Sequence, residues 1–290
     1  MFTILTGVHE AARMGSLVVR AGVARVPDRR LEAVAALYPD AKVTHATLEY
    51  LDCPAVSKEA LRDPAYLASL RLADAFAHVL RAFQDDRVPH EMGSVDARRD
   101  LQHVETELIL SDLVVAENRL ERLERDRKKI KSAELDQEHA VLERVKTQLE
   151  GGAPLRKLKL EGEDEKRVRG FQFLSQKPML YVLNLREEDS ARLHDIEGEF
   201  REKELGGRAH TAVTAICGKI EAELAELAPE EVPEFLASYG LKEPGLERLV
   251  HATYGVLGMI SFFTASEPEV RAWALPAGST ALKAAGTVHT

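Results

Sequence analysis

The chain has 290 residues, 45% of them hydrophobic and 30% charged, a composition that suits one large or two ordinary folded domains and excludes a disordered chain. A net charge of -9 and a pI near 5.7 exclude a protein that coats nucleic acid through its overall charge; any RNA contact must be local, and no DNA partner is expected. Two cysteines, Cys53 and Cys217, in no C-x-x-C pattern support neither a disulfide framework nor a structural zinc site. No apolar run approaches the roughly 18 residues that span a bilayer, so a cytoplasmic protein without a membrane partner is expected.

In chain order, short β-rich stretches at Ser16–Val26, Thr44–Asp52 and Asp74–Phe83 alternate with helical ones. Pro178–Asn184 and Thr211–Ile216 continue the pattern after a long interruption. Such alternation predicts βαβ units around a mostly parallel sheet. Leu180 to Leu183 and Ala212 to Ile216 are apolar on both faces, as central strands covered by helices should be. The interruption, from Asp100 to Glu150, is highly charged and lacks Gly and Pro. Leu101, Val104, Leu108 and Val115 lie at spacings of three, four and seven, and Leu135, Leu142 and Leu149 repeat every seven with Val145 between the last two. Two helices of an antiparallel hairpin are predicted, joined through Arg125–Gln137. That junction holds the densest positive cluster of the chain, Arg127, Lys128, Lys129 and Lys131. It is either a solvated helix end or a contact for a phosphate backbone. "EGGAPL" at Glu150–Leu155 returns the chain to the sheet, which makes the hairpin an insertion. Glu269–Thr290 pairs an alternating strand with a Pro-Ala-Gly turn and a short helical segment, as if opening a second small domain.

Three strand ends carry candidate chemistry. After the strand at Pro178–Asn184 comes Asn184-Leu185-Arg186-Glu187. An asparagine ends many strands through turn chemistry alone, but its amide suits a purine edge, and Glu187 places a carboxylate beside the base. The next strand ends in Cys217-Gly218-Lys219, where glycine permits close backbone approach. Asp52 ends an earlier strand, where a nucleotide hydrolase steadies Mg²⁺ through water. The glycine expected three residues on is Ala55, and Val56 stands where many related enzymes carry a glutamine that orients the attacking water. No G-x-x-x-x-G-K-[ST] occurs anywhere, so the phosphate grip that should accompany a base reader is missing from these residues.

These residues, in order, resemble the YchF-type, Obg-like subfamily of translation-factor GTPases over nearly the whole chain. Gly258–Ser266 and Glu269–Thr290 resemble the family's entry into its TGS domain, Asn184–Glu187 its Asn-x-x-Glu base motif, and Cys217–Leu224 its last nucleotide motif. Ala24–Val34 resembles the strand and helix after switch I. Arg81–Asp86 is similar to the segment whose aromatic, here Phe83, lies beside the base. The resemblance implies a P-loop NTPase (G-domain) parallel sheet lacking its first strand, with an inserted antiparallel coiled-coil hairpin and the start of a ubiquitin-like β-grasp TGS domain. The expected divisions are 1–98 and 152–257 for the two parts of the G-domain, 99–151 for the hairpin and 258–290 for the partial TGS domain. It further implies ATP or GTP hydrolysis with Mg²⁺ and ribosome binding. Asn184 and Glu187 would read the base, Leu185 and Phe83 flank it, Cys217, Gly218 and Lys219 close the pocket, and Asp52 support the metal. Val56 matches the family's hydrophobic residue at the glutamine position. Met1 falls where the helix after the phosphate loop begins, so the sequence is expected to start just past that loop and to stop inside the TGS domain, as an incomplete gene model would. The alternative expectation is a nucleotide-independent ribosome- or RNA-binding module with a degenerate G-domain.

Overall fold

The computed structural model describes residues 1–8, 17–90, 92–207 and 210–289. Eight strands are present among them: β1 (Arg20–Arg25), β2 (Lys42–Thr44), β3 (Thr47–Asp52), β4 (Phe76–Arg81), β5 (Met179–Asn184), β6 (Thr211–Ile216), β7 (Met259–Ala265) and β8 (Glu269–Pro276). The helices are α1 (Phe2–Thr6), α2 (Arg29–Ala35), α3 (Pro64–Leu72), α4 (Ala97–Lys129), α5 (Ala133–Glu150), α6 (Glu163–Arg169), α7 (Leu193–Phe200), α8 (Gly218–Leu224), α9 (Val232–Ser238), α10 (Gly245–Val256) and α11 (Ala281–Val288). Each predicted strand is found, Thr211–Ile216 with the same bounds and the others trimmed by a few residues at one or both ends; Ser16, the first residue of the first, lies outside the described residues. Among the described residues no helix is long and apolar enough to cross a membrane.

The parallel sheet of the molecule is β4-β5-β6. Its middle strand, Met-Leu-Tyr-Val-Leu-Asn, is buried on both faces. Tyr181 and Leu183 face a core shared with α3 and α4, while Leu180 and Val182 face Leu249 of α10 and Met1 and Leu5 at the start of the chain. The expectation of one mostly parallel sheet needs correction on the other side. β1 and β3 form a two-stranded antiparallel ribbon, and among the described residues no ladder joins it to β4. Apolar packing joins the two instead, with Leu5 touching the cores of both and Val19, Cys53 and Val56 packing against the core under β4 and β5.

The two outer edges of the parallel sheet differ. Phe76 N–H donates to the Pro178 carbonyl and Ala82 N–H to the Asn184 carbonyl, both at 3.0 Å. This parity turns the backbone groups of Ala77 and Val79 to the edge away from β5. Both side chains are exposed, Val79 by 47%. On β6 the outward residue Ala215 is sealed, because its N–H donates to Glu197 Oε2 at 3.1 Å and its carbonyl accepts from Arg248 Nη1 at 3.2 Å. Glu197 and Arg248 also pair with each other, so one edge is closed by side chains at Ala215, while β4 has no further strand on its outer edge among the described residues.

The helical hairpin forms as predicted, with a shorter turn. Asp96 caps α4 by accepting the Arg99 N–H at 3.0 Å. The helix then runs 33 residues through Arg127, Lys128 and Lys129, which favour its negative C-terminal end and so belong to the helix rather than to a junction. Its stripe is split by depth: Leu101, Val104 and Leu108 pack on the sheet, whereas Ile109, Ala116, Leu120 and Leu123 pack on Val141, Leu142, Val145 and Leu149 of α5. Leu123→Ala, at a fully buried position, is expected to cost about 3 kcal/mol in urea unfolding followed by helical circular dichroism. An unchanged midpoint would show that the hairpin does not share in the cooperative unit.

β8 pairs antiparallel with β7 and parallel with β2, and Phe263, Val270 and Ala272 pack in one core with Leu31 of α2 and Val250 and Tyr254 of α10.

Candidate functional site

Strands β4, β5 and β6 end side by side, so the loops that leave them meet. Arg81 is in register with Asn184 and Asn184 with Ile216, and the Leu185 N–H continues the ladder to the Ile216 carbonyl at 2.8 Å. The Gly218 N–H, at the start of α8, donates to Asn184 Oδ1 at 2.9 Å. That bond assigns the oxygen of the amide to the protein and leaves Nδ2 as its donor. A Cβ on residue 218 would lie 3.2 Å from the same oxygen, which is why glycine opens this helix. One residue on, Lys219 Nζ pairs with Glu187 Oε2 at 2.6 Å, and this bond holds the lysine pKa up. Asn184 and Glu187 are thereby each bound to one of two consecutive residues of the neighbouring strand's loop.

Phe83 lies two residues past β4. Its loop is wrapped around Arg81, which donates through Nε to the Phe83 carbonyl at 3.0 Å, through Nη1 to Val88 at 2.7 Å and through Nη2 to Asp85 at 3.0 Å. The same guanidinium covers the half-buried Phe83 ring, 4.7 Å from its centre, so one aromatic face is already taken. The sequence names Phe83 but gives no sign that Arg81 holds it.

Two of the predicted contact residues are deeply buried. Leu185 is only 3% exposed and packs in the core with Leu183 and Leu193, so it is a floor under the site rather than a flank for a base. Cys217 is equally buried, against Ile220, Leu224 and Leu236, and burial pushes its thiol pKa up; Gly218 and Lys219 are the members of that motif that meet the asparagine and glutamate.

Asp52 ends β3, on the ribbon that has no ladder to β4 among the described residues. Its carboxylate is held by the Arg20 guanidinium from the facing end of β1, and Arg20 in turn lies 5.1 Å over the Phe2 ring. Among the described residues no three His, Cys, Asp or Glu side chains converge as a ligand set. The Mg²⁺ that the resemblance implies would meet at Asp52 a carboxylate already paired with Arg20, a poor fit for a divalent ion.

At the far end of the hairpin, Arg127 Nε is bonded to Asp136 at 2.6 Å. Lys128, Lys129 and Lys131 are exposed, and none has an ion-pair partner among the described residues, so these three carry the available charge. Lys128 and Lys131, with the exposed Ile130, Arg127, Glu124 and Asp136, line a cleft of about 300 Å³.

A parallel core whose adjacent strand ends present an Asn–Gly bond and a Glu–Lys pair, with a helical hairpin inserted between its first two strands, defines an α/β protein of the P-loop G-domain class. Residues 259–290 match a family described as "YchF-GTPase_C: Protein of unknown function (DUF933)". The "Ribosome-binding ATPase YchF" of Escherichia coli O157:H7 is 35% identical over 278 residues, covering 93% of this chain and 74% of that protein. The protein of the same description from Bacillus subtilis is 34% identical over 273 residues with the same coverage. The solved structure of the Schizosaccharomyces pombe YchF GTPase superposes with a TM-score of 0.77 at 28% identity, over 93% of this chain and 74% of that one. The chain belongs to the YchF family.

Proposed function

We propose that this chain carries the base-reading half of a YchF-type nucleotide site together with a ribosome-contacting hairpin. The parent activity would be ATP or GTP hydrolysis linked to ribosome binding, with the 290 residues by themselves inactive. The observation that carries the reading is the Asn184–Gly218 bond. It orients the amide so that Nδ2 can donate to a purine ring nitrogen, while the Glu187 carboxylate, an acceptor only, suits an exocyclic amino group. Phe83 offers one ring face for stacking, since Arg81 covers the other. The relatives named as ribosome-binding support the partner. The exposed Lys128, Lys129 and Lys131 supply cations for an RNA phosphate backbone at the end of a long lever. Inactivity follows from the lack of any G-x-x-x-x-G-K-[ST] in these residues, because cradling amides and a lysine offset most of a triphosphate's charge.

Titration with fluorescent ATP and GTP tests this, using the 290-residue chain and a version extended at its N-terminus by a strand and a G-x-x-x-x-G-K-[ST] loop. The extended protein is expected to bind at micromolar concentration, and Asn184→Ala within it to weaken binding about tenfold, the worth of one good hydrogen bond. Micromolar binding by the unextended chain would overturn the claim of inactivity. A second reading, a nucleotide-independent ribosome- or RNA-binding module, is favoured by Ala55 and by the Arg20–Asp52 pair. It prevails if the extended protein also fails to bind.

A further inference from the structure

We propose that Arg20 is the resident cation of the Asp52 site: its guanidinium supplies the positive charge that a divalent ion supplies to such a carboxylate, and it thereby keeps metal off this strand end. The inference rests on the reading of Asp52 as the phosphate-side end of the nucleotide site.

Arg20 and Asp52 are register partners at the last rung of the β1–β3 ribbon, so the backbone itself brings them together. The side chains are 17% and 35% exposed, so the pair is partly shielded from solvent. On its other side the guanidinium rests on the Phe2 ring, and this aromatic face fixes a planar cation more firmly than it would a lysine ammonium. An ion approaching the Asp52 carboxylate would meet a positive charge already in hydrogen-bond contact with it. A neighbouring residue agrees with a site released from metal-assisted hydrolysis: Ala55 stands where a γ-phosphate sensor needs glycine. A protein with this arrangement gains a rigid, charge-neutral strand end that needs no ion to assemble. It gives up the bridge that a divalent cation makes to a nucleotide's phosphates.

The test uses Mn²⁺ alone, without nucleotide, so that its outcome is independent of whether the base site binds anything. In ¹⁵N-labelled protein the paramagnetic ion erases the amide signals of residues beside which it binds. The unsubstituted chain is expected to keep the Asp52 and Cys53 signals through a Mn²⁺ titration, and Arg20→Lys, which retains a cation, to behave in the same way. Arg20→Ala is expected to lose both signals, and Arg20→Ala combined with Asp52→Asn to regain them. Should Arg20→Ala fail to fold, Arg20→Gln keeps the length of the side chain without its charge and carries the same expectation. Loss of the two signals in the unsubstituted chain overturns the proposal, and so does their survival in a folded Arg20→Ala or Arg20→Gln.

Discussion

Arg156→Ala is expected to destabilise the protein by about 3 to 5 kcal/mol in urea unfolding at neutral pH, a loss typical of breaking a buried ion pair from one side. Arg156 lies just after the hairpin returns to the sheet, and its side chain is 1% exposed. Its guanidinium pairs through Nη1 with Glu105 of α4 and donates through Nε to the Lys177 carbonyl at 3.0 Å, immediately ahead of β5. The Tyr181 hydroxyl of β5 donates to the second oxygen of Glu105 at 3.1 Å. Both legs of the hairpin are thus clamped to the central strand through one carboxylate. Removing the arginine strands that carboxylate in an apolar interior, so most of the loss is the cost of an orphaned charge rather than the worth of the bond. A double variant serves as the control: Arg156→Met with Glu105→Gln should recover at least half of the loss, because neither partner then leaves a charge behind. If the double variant is no better than Arg156→Ala, the clamp stabilises through its geometry and not through charge compensation.

How far these features could be read in advance depends on how local their causes are. The strands at Met179–Asn184 and Thr211–Ile216 were legible because burial on both faces demands unbroken apolar runs. The hairpin was legible because a heptad stripe along so charged a segment can be buried only against a second helix. Asn184 and Gly218 could be named as a pair because each sits at a strand end, and the parallel register then does the rest. The clamp was invisible for the opposite reason. Glu105 reads as one more charge on a polar helix and Arg156 as one more base in a loop, and only the fold brings residues 51 apart into contact. Leu185 misled because a hydrophobic residue inside a binding motif reads equally as a flank or as a floor, and burial alone separates the two. Arg20 was missed because the ribbon's antiparallel register, which places it against Asp52, is a property of two strands and not of either sequence.

The same polar layer predicts a pH response with two opposing parts. His78 of β4 is packed against Tyr181, and its Nδ1 has no hydrogen-bond partner among the described residues. Burial lowers its pKa from 6.5 to about 4; Asp100 acts against the shift and His103, also on α4, adds to it. The folded protein therefore keeps this ring neutral where the unfolded chain protonates it. The stability it contributes is present above pH 6.5 and is lost as pH falls toward 4. Between pH 7 and pH 5 that loss comes to about 2 kcal/mol. Asp112, 1% exposed on α4, works in the other direction. Its oxygens accept the Leu174 and Ser175 N–H groups at 2.9 and 2.7 Å, yet burial raises its pKa from 3.8 to about 6. The folded state then takes up a proton before the unfolded one does, which returns about 1 kcal/mol over the same interval. From these two groups the intact protein should lose about 1 kcal/mol between pH 7 and pH 5 and His78→Leu should gain about as much, and every other titrating group contributes equally to both proteins. The leucine should cost little at pH 7, because it removes the buried, unpaired Nδ1. Urea unfolding of both proteins at the two pH values checks the difference of about 2 kcal/mol between their responses. Parallel pH profiles would mean that His78 takes up its proton at the same pH in the folded and unfolded states, and with that the depressed pKa of the buried ring would have to be abandoned.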